Sequence, residues 1–199
     1  LQVEHPVTEM ITGIDLVEEQ IKIARGEPLS FKQEDLSIKG HALELRIYAE
    51  DPFNDFLPSI GKLEKYVVPT GEGVRVDDGY TEGMNIPIYY DPMLAKLVTY
   101  GKDRNQALQR MRAAISQYLV EGVITTLPFG AFVMEHPAFV SGNFDTHFVK
   151  SYFTTEHLKK DQEEKARMAA LAVLRYYLDE QEILNPVLNR STSWKRRLS

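Results

Sequence analysis

Polar and apolar side chains alternate through HALELRIYAE at residues 41–50, the period of a strand with one buried face. Leu43, Leu45 and Ile47 are predicted to point into a core; Glu44, Arg46 and Tyr48 share the other face, with Glu50 beyond them. Shorter strands are expected at residues 61–67, 74–76 and 93–100, separated by Pro69, Gly71, Gly73, Gly79 and Gly83. Ahead of them the period is helical. Asp15 is placed to cap a helix, Glu18 to close a capping box and Gly26 to end the element. Val17, Ile21 and Ala24 form its expected buried stripe, with Glu18, Glu19 and Lys22 facing water. A second helix is expected over residues 106–119 behind Asp103, burying Ala107, Met111, Ala114 and Tyr118. A short strand near residues 122–125 and a helix over residues 127–135 follow. The pattern predicts an α+β fold: a mainly antiparallel sheet with flanking helices on one side.

Past residue 154 the composition shifts. Residues 157–181 lack Gly and Pro, carry many charges, and space Met168, Leu171, Leu174 and Leu178 as one helical stripe. They read as a long C-terminal helix stopped by Asn185-Pro186. Beyond it Arg190, Lys195, Arg196 and Arg197 surround Trp194, the pattern of a solvated tail.

At 199 residues, 43% hydrophobic and 26% charged, the chain has the balance of a globular protein able to bury a real core. A net charge of -6 argues against nucleic acid as a partner. The absence of cysteine excludes disulfides and thiolate chemistry and fits a reducing cytoplasm. No apolar run reaches the length of a bilayer span, so no membrane association is expected.

The run LQVEHPVTEMITG at residues 1–13 sets an amide, a carboxylate and an imidazole side by side. From spacing alone it reads as an ordinary extended segment entering a helix, with Glu4 and His5 solvated. The alternative is an active-site segment separated from whatever precedes it. That run resembles the bicarbonate-site motif of biotin carboxylases, ATP-grasp enzymes of the acetyl-CoA and propionyl-CoA carboxylase type. The likeness continues through GHALELRIYAEDP (40–52), FLPSIGKL (56–63), GVRVDDG (73–79), IYYDPMLAKLVTYG (88–101), DRNQALQRMRAAI (103–115) and EGVITT (121–126). It covers roughly residues 1–153 in the family's order. The resemblance implies a C-terminal part of a biotin carboxylase. Residues 1–14 would close the ATP-grasp portion, 15–153 would form the biotin carboxylase C-terminal domain, and 154–199 a helical extension.

The chemistry implied begins with bicarbonate, a poor nucleophile until a base shares its remaining proton during attack on the γ-phosphate of ATP. A glutamate, with an ordinary pKa of about 4.3, can take that proton only as the new bond forms. By resemblance Glu4 is this base, while the Gln2 side-chain amide and the Val3 backbone N–H donate to bicarbonate oxygens. An extended backbone would put Gln2 and Glu4 on one side with the Val3 edge between them. His5, before Pro6, is expected to be extended and hydrogen-bonded in support of Glu4. The segment LRIYAEDP resembles the family's arginine segment. It implies that Arg46 binds biotin and stabilises charge on its ureido oxygen, as an oxyanion hole would. An arbitrary strand arginine would merely pair with Glu44 or Glu50. Tyr90 and Asp91 match a segment lining the same neighbourhood, where Asp91 either orients a cation or caps the turn before Pro92. Arg75 lies in a segment that makes a dimer contact in some members. Glu72 stands where a bulky apolar residue can sit in those dimers, which counts against that mode.

His41, His136, His147 and His157 are scattered without metal-ligand spacing, and no metal site is expected. The chain shows no Gly-rich phosphate loop, no nucleotide lysine in a recognisable setting and no AMKM-like biotin attachment segment. By resemblance the magnesium carboxylates lie ahead of residue 1. The parent enzyme would use ATP, Mg2+ and biotin on a carrier protein, none of them expected to bind this chain by itself. Its expected partners are the rest of the ATP-grasp portion, a biotin carboxyl carrier domain and a carboxyltransferase subunit, with a homo-oligomer left open. The competing expectation is a non-catalytic α+β module for subunit assembly, contacting partners through the long helix.

Overall fold

The computed structural model describes residues 1–184, which fall into two compact units, Leu1–Thr155 and one beginning at Glu156. The first unit opens with helices α1 (Pro6–Thr12) and α2 (Leu16–Ala24), followed by a 3-10 turn at Gln33–Asp35. Strands β1 (His41–Tyr48), β2 (Glu50–Asp51), β3 (Leu57–Pro58), β4 (Gly61–Lys62), β5 (Lys65–Val67), β6 (Val74–Asp78), β7 (Asn85–Ile86) and β8 (Met93–Gly101) come next. Helix α3 (Arg104–Gln117), strand β9 (Leu119–Glu121) and helices α4 (Leu127–Glu135), α5 (Pro137–Ser141) and α6 (Phe148–Tyr152) complete it.

Three long strands form an antiparallel sheet in the order β1-β8-β6. Short antiparallel pairs β2–β3, β4–β7 and β5–β9 extend the mixed, mainly antiparallel character the sequence predicts. The register pairs Leu43 with Thr99, Leu45 with Leu97 and Arg46 with Lys96; across β8, Arg75 pairs with Val98 and Asp77 with Lys96. Period-2 alternation therefore sorts the sheet into an apolar face and a charged face.

The apolar face carries the core. Ile47, Leu97, Ala107 and Met111 are fully buried, and Leu127, Val133 and Met134 of α4 join the same cluster. Helix α3 forms where its cap says it should: Asp103 accepts from the Gln106 N–H at 2.9 Å, and the stripe Ala107, Met111, Ala114, Tyr118 is buried throughout. Thr99, wholly buried, donates its hydroxyl to the Ala107 carbonyl at 3.0 Å and ties α3 to β8. Helix α4 comes so near the sheet at Gly130 that a Cβ there would overlap the Leu45 side chain. Tyr118 ends α3 by sharing a 2.7 Å hydrogen bond with the Tyr66 hydroxyl of β5.

Four expectations are corrected. Pro6 starts α1 instead of following an extended segment: it occupies the first helical turn, where its missing N–H costs nothing. The α2 stripe is inverted. Val17 and Ile21 are 50% and 48% exposed, whereas Glu19 is buried. The Glu19 carboxylate accepts from the Ser30 N–H at 3.0 Å and pairs with Lys22 Nζ at 3.0 Å, folding the chain after α2 back onto the helix. Asp15 caps it and Gly26 follows its end as predicted, with Asp15 accepting from Glu18 N–H at 2.8 Å and Gly26 left-handed at φ 82°. The Glu18 carboxylate, however, pairs with Lys22 at 2.8 Å instead of closing a capping box. The strand expected near residues 122–125 is β9 at Leu119–Glu121, starting three residues earlier, because Gly122 turns the chain at φ 96°. Finally, helices flank the sheet on both faces, since α1 reaches across the charged face to pair with Arg75.

Helix α7 runs from Thr155 to Leu184 and is described by itself. Met168, Leu171, Leu174 and Leu178 are exposed along it, and Tyr176 donates to Glu180 one turn on at 2.9 Å. The Asn185-Pro186 stop and the basic tail around Trp194 lie outside the described residues. Among the described residues no helix is long and apolar enough to cross a membrane.

Candidate functional site

The charged face of the sheet brings together residues far apart in sequence. Residues 3–5 form a turn in which the His5 N–H donates to the Gln2 carbonyl at 3.4 Å. His5 then takes a helical conformation as the α1 N-cap residue, its Nδ1 3.2 Å from Thr8 Oγ1. Gln2, Val3 and Glu4 therefore do not lie on an extended strand, and His5 braces α1 instead of standing extended behind Glu4. Both expectations failed because Pro6 nucleates a helix at the residue where an extended chain was read. Glu4 nonetheless reaches the strand-borne arginine: its Oε2 lies 3.5 Å from Arg46 Nη2. The Arg46 and Glu4 side chains are 39% and 56% exposed, so the pair is open to solvent on one side.

Arg46 is also held from within the sheet. Its Nε donates to Glu44 Oε1 at 3.4 Å, and its backbone carbonyl accepts from the Thr126 hydroxyl at 3.2 Å. The same hydroxyl accepts from the Tyr48 N–H at 3.0 Å, so Thr126 pins β1 on both sides of Ile47. Burial pushes the Glu44 carboxyl up, against the pull of Arg46. Beside this pair Asp77 grips Arg75 through two hydrogen bonds of 2.7 and 2.9 Å and lies 3.3 Å from Lys96 Nζ. Burial raises the Asp77 carboxyl, but Arg75 and Lys96 outweigh it and hold the group below its ordinary value. Arg75 Nη1 also donates to Glu9 Oε2 at 2.7 Å, and Glu9 Oε1 accepts from the Leu16 N–H at 2.9 Å. Glu9 thereby fixes α1 to β6 and to the start of α2.

Tyr90 and Asp91 are not joined to the Glu4–Arg46 pair by any hydrogen bond or ion pair among the described residues. Asp91 Oδ1 accepts from the Met93 N–H at 2.9 Å, the turn-capping role. Tyr90 is 77% exposed and lines a hollow of about 240 Å³ with Pro58, Ile60, Ile86 and Pro92. Glu72 pairs with Arg110 at 2.7 Å within the chain. Among the described residues no three His, Cys, Asp or Glu side chains are grouped to hold a metal ion. Glu9 and Thr126 were missed as parts of this region. Glu44 was named only as the partner an arbitrary strand arginine would take, and the structure makes that pair.

The arrangement is a carboxylate beside an open guanidinium, on a sheet face anchored by half-buried ion pairs. Comparison with known proteins identifies its class. The model of the biotin carboxylase C-terminal domain matches residues 44–151, and that of the carbamoyl-phosphate synthase L chain ATP-binding domain matches residues 1–32. The chain belongs to the biotin carboxylase family. It is 53% identical over 152 residues to biotin carboxylase 1 of Bacillus subtilis, covering 76% of this chain and 34% of that protein. It is 43% identical over 202 residues to the propionyl-CoA carboxylase alpha chain of Ruegeria pomeroyi, covering 90% of this chain and 30% of that one. Among solved structures it resembles the biotin carboxylase domain dimer of Hydrogenobacter thermophilus 2-oxoglutarate carboxylase, in complex with MgADP, ADP and bicarbonate. The TM-score is 0.76 at 44% identity, with 79% of this chain and 34% of that one covered. The chain thus spans about a third of the length of these relatives.

Proposed function

We propose that this chain supplies the base and the biotin-facing arginine of an ATP-dependent biotin carboxylase. The observation that carries the reading is the approach of Glu4 to Arg46, 3.5 Å apart across 42 residues of sequence. Glu4 takes the bicarbonate proton as a bicarbonate oxygen attacks the γ-phosphorus of ATP and ADP leaves. Gln2 and the Val3 N–H hold the bicarbonate oxygens. When the resulting carboxyphosphate parts into carbon dioxide and phosphate, Arg46 stabilises the negative charge that builds on the ureido oxygen of biotin. An exposed guanidinium suits that task, since it stays charged and offers a planar fork of donors. His5 supports Glu4 by bracing α1, and Tyr90 and Asp91 shape the flank.

By the family's pattern ATP and Mg2+ are held by the remainder of the ATP-grasp portion, as the related Hydrogenobacter thermophilus domain binds MgADP. Biotin arrives on a carrier domain and passes its carboxyl group on at a carboxyltransferase, in the cytoplasm. By itself the chain is inactive. Self-association is compatible with the reading, as the Hydrogenobacter thermophilus domain is a dimer. A second reading, a module for subunit assembly, is favoured by the exposed row Met168, Leu171, Leu174 and Leu178 on α7.

The test uses the assembled carboxylase. Glu4→Gln should lower bicarbonate-dependent ATP cleavage by at least 100-fold (~10²–10⁴ for a general base) with nucleotide affinity unchanged. Arg46→Ala should uncouple the enzyme, losing biotin carboxylation while bicarbonate-dependent ATP cleavage survives better. Equal loss of both activities in Arg46→Ala would move Arg46 to a bicarbonate or structural role. Unchanged activity in both variants would leave the assembly reading.

A further inference from the structure

Arg46 faces Lys96 directly across the β1–β8 ladder, two cations at one register position. Like charges placed so repel, and each must be drawn aside by a carboxylate. Asp77 takes Lys96, at 3.3 Å. Glu44 takes Arg46, with its Oε1 3.4 Å from Nε. The Glu44 side chain is only 8% exposed, against 39% for Arg46, so the contact comes from beneath the guanidinium. Its other oxygen, Oε2, is buried without a hydrogen-bond partner among the described residues. A buried carboxylate oxygen left unpaired costs free energy that an apolar residue of similar size would avoid. Packing alone gives no reason for a glutamate there.

We propose that Glu44 is a positioning residue, whose buried carboxylate holds Arg46 by Nε so that the two Nη nitrogens are presented towards Glu4 and the open side of the site. The inference rests on the biotin-facing role of Arg46 proposed above. A guanidinium is a flat fork with Nε on one edge and the Nη nitrogens on the others. Holding Nε fixes the plane of the fork without using the donors a substrate needs. Thr126 sets the same residue's backbone, so the main chain of Arg46 is anchored as well as its Nε edge. Lysine at position 46 would keep the charge and lose this handle.

The experiment combines kinetics of the assembled carboxylase with a measurement on this chain. Glu44→Leu should lower kcat for biotin carboxylation by ten- to a hundredfold, while bicarbonate-dependent ATP cleavage without biotin stays within threefold. Glu44→Gln, which keeps an acceptor for Nε, should recover most of the loss. In an Arg46→Lys background Glu44→Leu should add less than a twofold further loss, since the handle is already gone. In the 199-residue chain, the Arg46 Nε–H resonance should exchange faster with water in Glu44→Leu than in the wild type. If Glu44→Leu is too unstable to purify, Glu44→Gln and Glu44→Ala carry the same comparison. A Glu44→Leu or Glu44→Ala enzyme as well coupled as the wild type, beside an uncoupled Arg46→Ala, overturns the positioning role alone. A multiplicative loss in the Arg46→Lys background overturns it too. An Arg46→Ala enzyme that remains coupled overturns the reading of Arg46 and this inference with it.

Discussion

A carboxylate and a guanidinium 3.5 Å apart and both in contact with water make a weak pair, worth at most about 1 kcal/mol. That weakness suits the proposed site, whose two groups would have to separate to admit an anion. The residues around it are held far more firmly, Arg75 above all, with three hydrogen bonds of 2.9 Å or less to Asp77 and Glu9. Single positions also decide whether the chain can turn. Gly122 sits at φ 96°, and a Cβ there would run into the Lys62 carbonyl. Gly122→Ala is therefore expected to destabilise the protein by about 2 kcal/mol through strain and crowding together. Thermal unfolding should show a Tm lower by ~4–8 °C, and an unchanged Tm would mean that the β4–β9 region relaxes freely. Glu4 and Arg46 were legible in the sequence because each lies in an unbroken motif. Glu44 was legible as a polar-face partner for Arg46 but not as a buried one: alternation tells which side a residue points to, not whether another element buries it there.

At the scale of elements, those with strong local signals are the ones the sequence identified. Helix α3 has a cap and an unbroken stripe, and α4 spans the residues expected, 127–135. Helix α2 shows what such signals omit. Its cap and terminus follow from Asp15 and Gly26, yet its buried side is chosen by a contact from residue 30, beyond any helical window. The Ser30 N–H, with Lys22, lowers the Glu19 pKa from 4.5 to about 2. A carboxyl whose folded pKa is depressed adds stability above its unfolded pKa and loses it as pH falls towards the folded value. The Tm difference between wild type and Glu19→Gln should accordingly be greatest above pH 4.5 and shrink steadily towards pH 2. A difference independent of pH would show that Glu19 acts through packing and not through its charge. Helix α1 escaped notice for a related reason. Proline before a polar run suggests extension on its left but helix initiation on its right, and Glu9, which fixes α1 against Arg75, lies outside that local choice.

For the molecule as a whole, the question is what a chain spanning a third of its relatives' length can do unaided. Its core draws on β1, β8, α3 and α4 within Leu1–Thr155, a contiguous cluster that includes Ile47, Leu63, Leu97, Leu108 and Met111 at 0–1% exposure. Burial of that kind supports a cooperative transition. Nucleotide binding needs something different: backbone N–H groups and a lysine converging on phosphates. The residues converging here are Glu4, Glu44 and Arg46 on one side and Glu9, Asp77, Arg75 and Lys96 on the other. In each group acidic and basic side chains are already matched, which leaves little positive field to attract a triphosphate. Calorimetric titration of the chain with MgATP should accordingly give no saturable heat, while its thermal unfolding should be a single sharp transition. Micromolar affinity would place a nucleotide site within these residues. A broad, non-cooperative melt would show that the sheet depends on contacts supplied from outside the chain.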